Sequence, residues 1–142
     1  MKKLQSGSII VIVLLAFLSG SCKKEKSLDE LVIGKWEVQS IKQVNYENDI
    51  KKSETTFFAI PDELSIQFVD GGTGIQFENG EMVGAFTWTL SNSTLSVILG
   101  MQIYSWKITI DNDTLIWSFS ESEEDSGVTY KYEYFYTAVR VG

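Results

Sequence analysis

The chain has 142 residues with 12 Lys and Arg, 19 Asp and Glu, one Cys and no His. The lack of His removes the commonest general base and transition-metal ligand, and a lone Cys excludes an internal disulfide framework or a thiolate zinc cluster. A net charge of −7 opposes binding to nucleic acid, which requires basic surface. We therefore predict a protein that is not an enzyme and has no cofactor, metal site or nucleic-acid partner.

The first 21 residues follow the order of charge and hydropathy found in a secretory signal peptide. Lys2 and Lys3 are basic, residues 9–18 form an unbroken apolar run, and small residues follow at 19–21. The apolar run is too short for a membrane-spanning helix, which needs about 18 residues or more. The sequence thus predicts residues 1–21 as a cleaved signal peptide.

The segment Leu18-Ser19-Gly20-Ser21-Cys22 resembles the lipobox of bacterial lipoproteins. In that family the Cys becomes the mature N-terminus and carries acyl chains, palmitate among them, and several chains on one residue anchor a protein stably. The charged segment from Lys23 to Lys26 is similar to the tether of Bacteroidetes-type lipoproteins. The resemblance implies a lipidated Cys22, a tether over residues 22–30, and attachment to the outer membrane of the cell envelope. Both the periplasmic and the outer face of that membrane are candidates.

After the tether, the pattern changes from helical to alternating. Ser27 and Glu30 match the spacing of a capping box, which predicts one short helical turn. Alternating apolar residues follow from Trp36, and Ile41 breaks the alternation, which predicts a bulge near Ser40.

From residue 56 onward the chain has the pattern of short strands separated by turns. Pro61 ends the strand-like run from Thr56 to Ile60 and marks an edge or a corner, because Pro donates no ladder hydrogen bond. Asn79-Gly80 is a strong hairpin signal. The acidic segment from Glu121 to Gly127 is predicted as a solvated loop and not a calcium site, because it lacks the spaced ligands of a calcium loop.

About eight to nine strands at spacings of roughly 8–12 residues predict an antiparallel meander. One apolar face per strand requires one enclosed core, and closure into an up-and-down barrel removes exposed edges. The sequence thus predicts an all-β domain over residues 31–142 that forms a single barrel of about eight strands. A two-sheet sandwich is the alternative.

Several short segments, taken in chain order, resemble lipocalins and lipocalin-like bacterial lipoproteins. They are the Gly-x-Trp opening within residues 31–38, Gly72-Thr73-Gly74 after Phe68, Trp88-Thr89-Leu90, Leu95 and Leu115. The resemblance covers nearly all of residues 28–139. It implies a barrel whose closed end is formed by Trp36 packed beneath Arg140, the one Arg in the sequence.

Aromatic residues make up 13% of the chain, and they allow two functional interpretations. In the first, they line a pocket for a small hydrophobic ligand; the candidate lining residues are Phe68, Phe77, Phe86, Trp88, Tyr104, Trp106, Trp117, Tyr132 and Tyr134. In the second, they fill the core of a non-catalytic interaction module that binds a protein or glycan partner through its surface. The lipocalin resemblance favours ligand binding, by analogy of fold, and we expect a monomer.

Overall fold

The structure is a computed structural model that describes residues 24–142. The predicted signal peptide, Cys22 and Lys23 lie outside the described residues. The elements are α1 Leu28–Val32, β1 Gly34–Glu47, β2 Ile50–Phe58, β3 Leu64–Val69, β4 Thr73–Glu78, β5 Glu81–Ser91, β6 Thr94–Leu99, β7 Gln102–Asp111, β8 Thr114–Asp125 and β9 Val128–Val141. Within residues 24–142, no helix combines the length and the hydropathy needed to cross a membrane.

The nine strands form one antiparallel sheet that closes on itself. Neighbours in the sheet follow chain order from β3 to β9, β1 pairs with both β3 and β9, and β2 is added at the edge beside β1. Eight strands therefore close an up-and-down barrel, and β2 is an additional edge strand. The predicted all-β meander barrel is confirmed, and the sandwich alternative is wrong.

The ring of backbone hydrogen bonds is complete in only one half of the barrel. β1 pairs with β3 over residues 34–37 alone and pairs with β2 from residue 40 onward. On the far side, β7 pairs with β8 only over residues 107–111. Beyond these points the wall divides into two facing sheets, β2-β1-β9-β8 and β3-β4-β5-β6-β7, which are separated by two seams. We call the half with the complete ring the closed half and the half with the seams the open half.

Most turns and bends follow the local sequence. Asn79 and Gly80 both have positive φ, 51° and 79°, as a two-residue hairpin turn of this composition requires. The pairing of β1 with β9 shifts register immediately before Ser40, where a bulge is predicted. At the start of α1, Ser27 donates its backbone N–H and its hydroxyl to the Glu30 carboxylate, each at 2.9 Å.

The prediction of an acidic loop from residue 121 is wrong. Residues 121–125 continue β8, which pairs with β9 as far as Asp125 opposite Val128, and the turn is formed by Ser126 and Gly127. This part of β8 has no strand on its other edge. Carboxylates are tolerated on such an edge because they remain solvated, and their charge opposes pairing with another chain.

The closed end of the barrel is formed by Trp36, which lies between α1 and Arg140. The indole is fully buried and donates its N–H to the Val32 carbonyl at 2.7 Å. The Arg140 guanidinium lies 4.3 Å from the centre of the indole ring and donates to the carbonyls of Leu31 and Ile33 at 2.6 and 2.8 Å. A cation over an indole contributes about 0.5–2 kcal/mol, and the two hydrogen bonds tie α1 to the last strand.

Large side chains fill the closed half. Phe68 packs edge-on against Phe86 and Trp88, with ring centres 5.7 and 5.6 Å apart. Position 74 is Gly because a Cβ atom there would overlap the Phe86 ring. The other buried members of this core are Val32, Trp36, Val38, Ile66, Leu95, Val97, Ile108, Leu115, Trp117 and Ala138.

Gly74→Ala is expected to lower the free energy of unfolding by about 1–3 kcal/mol, the usual cost of adding a methyl group to a packed core. The matched control is Gly84→Ala, because the nearest atom to a Cβ added there is a Leu99 methyl carbon at 3.8 Å, an ordinary contact. We expect the control to change stability by about 0.5 kcal/mol or less. Urea denaturation of both variants provides the measurement, and an equal loss in the two would contradict the packing argument.

Candidate functional site

The open half contains a cavity of about 280 Å³ between the two facing sheets. We call it the central cavity, and its lining residues are Val38, Leu64, Ile66, Gln76, Tyr104, Trp106, Trp117, Phe119, Glu121 and Tyr136. Val38, Ile66 and Trp117 are also members of the closed-half core. The central cavity therefore lies directly on the packed core, which forms its floor.

A stack of aromatic rings crosses the β7–β8 seam beside the central cavity. Trp106 of β7 stacks on Trp117 of β8 with ring centres 5.8 Å apart, and Trp117 stacks on Tyr136 of β9 at 5.0 Å. Stacked pairs of this kind add about 0.5–1.5 kcal/mol each. Trp106 lies just beyond Lys107, the last residue of β7 that pairs with β8, so ring stacking holds the two strands together where backbone pairing ends.

Each seam has a cavity of its own that shares residues with the central cavity. The cavity between β1–β2 and β3 measures about 370 Å³ and shares Val38 and Leu64 with the central cavity. The cavity along the β7–β8 seam measures about 480 Å³ and shares Phe119. The β1–β3 seam cavity therefore adjoins the central cavity, whereas the β7–β8 cavity lies mainly on the outer face of its strands and meets the central cavity at Phe119.

Five of the nine lining residues predicted from sequence lie on the inner face of the open half. Tyr104, Trp106 and Trp117 line the central cavity itself. Tyr134 and Tyr132 lie farther along the inner face of β9, towards the β8–β9 turn. The ring of Tyr134 continues the aromatic row beyond the cavity, since it stacks on Phe119 with ring centres 5.0 Å apart.

The other four predicted residues do not line the central cavity. Phe77 lies on the opposite face of β4, where the Lys35 ammonium is 4.3 Å from its ring centre. The inner face of β4 is occupied by Gly74 and Gln76 because the ring of Phe86 fills the space over Gly74. The remaining three belong to the core of the closed half: Phe68, Phe86 and Trp88.

Seven residues of the lining are not among those predicted from sequence: Val38, Leu64, Ile66, Gln76, Phe119, Glu121 and Tyr136. Alternation along a strand places Phe119 and Glu121 on the same face of β8 as Trp117. Because the sequence predicts a loop from Glu121 onward, alternation does not identify Glu121 as an inner residue. The local sequence does not identify Gln76 as an inner residue, since a polar side chain in a strand ordinarily faces solvent.

Carboxylates supply the charge at this site. In the described part of the chain, the charged residues that line the central cavity and the adjoining β1–β3 seam cavity are Glu121, Glu63 and Glu78. Burial raises the pKa of Tyr136, and the neighbouring Tyr134 and Glu121 raise it further. The Tyr136 hydroxyl therefore stays protonated near neutral pH and can donate a hydrogen bond.

The arrangement is suited to binding a compact apolar molecule. The walls are mainly aromatic and aliphatic, and few polar groups interrupt them. Among residues 24–142 there is no group of three or more His, Cys, Asp and Glu side chains placed to hold a metal ion. Comparison with protein-family models gave no match, and searches of curated proteins and of solved structures gave none either.

Tyr136→Phe is expected to make the free energy of unfolding fall less steeply as the pH becomes alkaline. The folded state raises the pKa of Tyr136, so above about pH 10 the unfolded chain gives up this proton first. The folded state then binds more protons, and stability present below that pH is lost as the pH rises. Denaturant midpoints between pH 8 and pH 11 provide the measurement, and an equally steep fall in the variant would contradict the assignment.

Proposed function

We propose that this protein is a lipid-anchored, lipocalin-like binding protein that holds a small hydrophobic molecule in the central cavity. The observation that carries the proposal is the contrast between the two halves of the barrel. The closed half is filled by side chains, whereas the open half contains an aromatic-lined cavity of about 280 Å³. We propose binding without catalysis, because a chain with no His lacks the commonest general base.

The size and lining of the cavity support a compact ligand. Ligand pockets are mostly apolar, contain a few well-placed polar groups, and measure about 300–1,000 Å³. The central cavity, at about 280 Å³, lies just below that range. Gln76, Glu121 and Tyr136 bring polar groups to its walls, so a molecule with an apolar body and one polar end fits best.

The proposed anchor is the acylated Cys22, which would attach the protein to the outer membrane. Five residues lie between Cys22 and Leu28, and an extended chain from one to the other spans about 20 Å. Leu28 begins α1, which packs at the closed end. The anchor would therefore hold the closed end near the lipid and direct the open half away from it.

The second candidate is a non-catalytic module that binds a protein or glycan partner. Exposed apolar side chains favour it, because large apolar patches mark interaction surfaces. Phe58 and Ile103 are 83% and 74% exposed, and Ile60 and Met101 are exposed as well. A ligand-free central cavity in protein purified gently from its host, as seen by native mass spectrometry, would favour this alternative.

The neutral fluorescent probe N-phenyl-1-naphthylamine is expected to bind the central cavity, with Trp106→Leu weakening binding about three- to tenfold. The substitution removes one wall of the cavity and its stacking, worth about 0.5–1.5 kcal/mol, and about 1.4 kcal/mol corresponds to tenfold in affinity. The matched control is Phe77→Leu, an aromatic residue on the outer face of β4, which should leave binding unchanged. Titration of probe fluorescence gives the affinities. No binding to the wild type, or equal binding to both variants, would refute the proposed site.

Cys22→Ser in the full chain is expected to move the protein from the membrane fraction to the soluble fraction, because the proposed acyl chains are the anchor. Lys23→Ser serves as the control, since it changes the adjacent residue without removing the acylation site. Fractionation followed by mass spectrometry of the N-terminus provides the measurement. Recovery of wild-type protein with an unmodified Cys22 still joined to Ser21 would overturn the anchoring.

A further inference from the structure

We propose that the central cavity selects its ligand by charge: it prefers a hydrophobic molecule with a cationic head, such as an alkylammonium or arylammonium ion, over an anion such as a fatty acid. In this proposal Glu121 is the counter-charge. The inference rests on the proposed ligand-binding function and adds the chemical class of the ligand.

The first support is the sign of the charges around the cavity. The described lining of the central cavity and of the β1–β3 seam cavity contains carboxylates and no Lys or Arg. The lysines nearest in the fold belong to outer surfaces: Lys35 covers Phe77, and Lys42 covers Phe135, with ammonium-to-ring distances of 4.3 and 4.7 Å. Lys107 lines the β7–β8 seam cavity together with Glu133. An anionic head would therefore enter the central cavity with no cation to pair with it.

The second support distinguishes Glu121 from the other two carboxylates. Glu63 accepts a hydrogen bond from the Ile60 N–H at 2.9 Å, and Glu78 accepts one from Gln76 at 3.3 Å. In the described part of the chain, no side-chain hydrogen bond or ion pair involves Glu121. Glu121 therefore keeps its acceptor capacity for a ligand.

The third support is the aromatic wall next to Glu121. Trp106, Trp117 and Tyr136 form one stack along the cavity. Stacking covers the ring faces, so the stack supplies an apolar wall and not a cation-binding face. The rings and the apolar floor therefore accommodate the hydrophobic body, and the carboxylate of Glu121 sets the sign of charge that the cavity prefers in the head.

The test uses three naphthalene probes of one shape: 1-naphthylmethylammonium, 1-naphthalenemethanol and 1-naphthoate. Isothermal titration calorimetry of the wild-type protein should give the ammonium an affinity about three- to fivefold above that of the alcohol, and the carboxylate the weakest binding. This range corresponds to the upper part of the usual strength of a solvent-exposed ion pair, since Glu121 is exposed. The preference should shrink between about 0.01 M and about 1 M salt, because screening shortens from about 30 Å to about 3 Å.

Glu121→Gln should remove the preference for the ammonium and leave the affinity for the alcohol within about twofold. Glu121→Lys should reverse the order of the two ions. The matched control is Glu124→Gln, which makes the same charge change on the opposite face of β8 and should keep the wild-type order. Thermal melts confirm that each variant folds.

The outcomes separate this inference from the proposed function. Equal binding of the ammonium and the carboxylate to the wild type, or a preference that survives Glu121→Gln, would overturn charge selection by Glu121 and leave the binding function standing. Failure of all three probes and of N-phenyl-1-naphthylamine to bind would overturn both.

Discussion

The pairing of β1 with β9 determines where this barrel is closed and where it is open. The two strands pair along nearly their whole length, from Lys35 opposite Val141 to Glu47 opposite Tyr130. The connections to the facing sheet are shorter: β3 stays with β1 for four residues, and β7 stays with β8 for five. Because β1 and β9 continue to pair beyond the residues where β3 and β7 are attached, the wall divides into two sheets. The central cavity is the space that this division leaves.

The aromatic residues have different roles in the two halves of the barrel. In the closed half, Trp36 and Phe68 are buried and meet their neighbours edge-on or beneath a cation, which produces a solid core. At the border of the open half, Trp106 stacks on Trp117 where the backbone pairing of β7 with β8 ends, and Trp117 stacks on Tyr136 of the adjacent strand β9. The packed core of the closed half therefore forms the floor of the central cavity, and stacked rings form one of its walls.

Local sequence signals predict the strands, their order and several turns, because those features depend on near neighbours in the chain. Alternation identifies the inner residues of β8 and β9, and Asn79-Gly80 identifies its hairpin. The seams could not be predicted, since the length of each pairing is set by strands distant in sequence. The same limit explains Phe77: the apolar residues of β4 face outward because the Phe86 ring, from another strand, occupies the inner side at Gly74. The carboxylates after Phe119 suggest a loop by composition, yet they form a strand edge.

The direction of the open half has a consequence for how a ligand would arrive. The described chain enters at α1, whose carbonyls are bound by Arg140 at the closed end. Met101 and Ile103, at the β6–β7 turn and the start of β7, carry exposed apolar side chains at the far end of the open half. Under the proposed anchoring at Cys22, a ligand would exchange with the aqueous phase or with a protein seated on that apolar rim, since the lipid would lie at the other end. A cavity that takes its ligand from water gains selectivity from charge, because a hydrated anion loses solvation on entry and finds no cation in the lining of the central cavity to compensate for it.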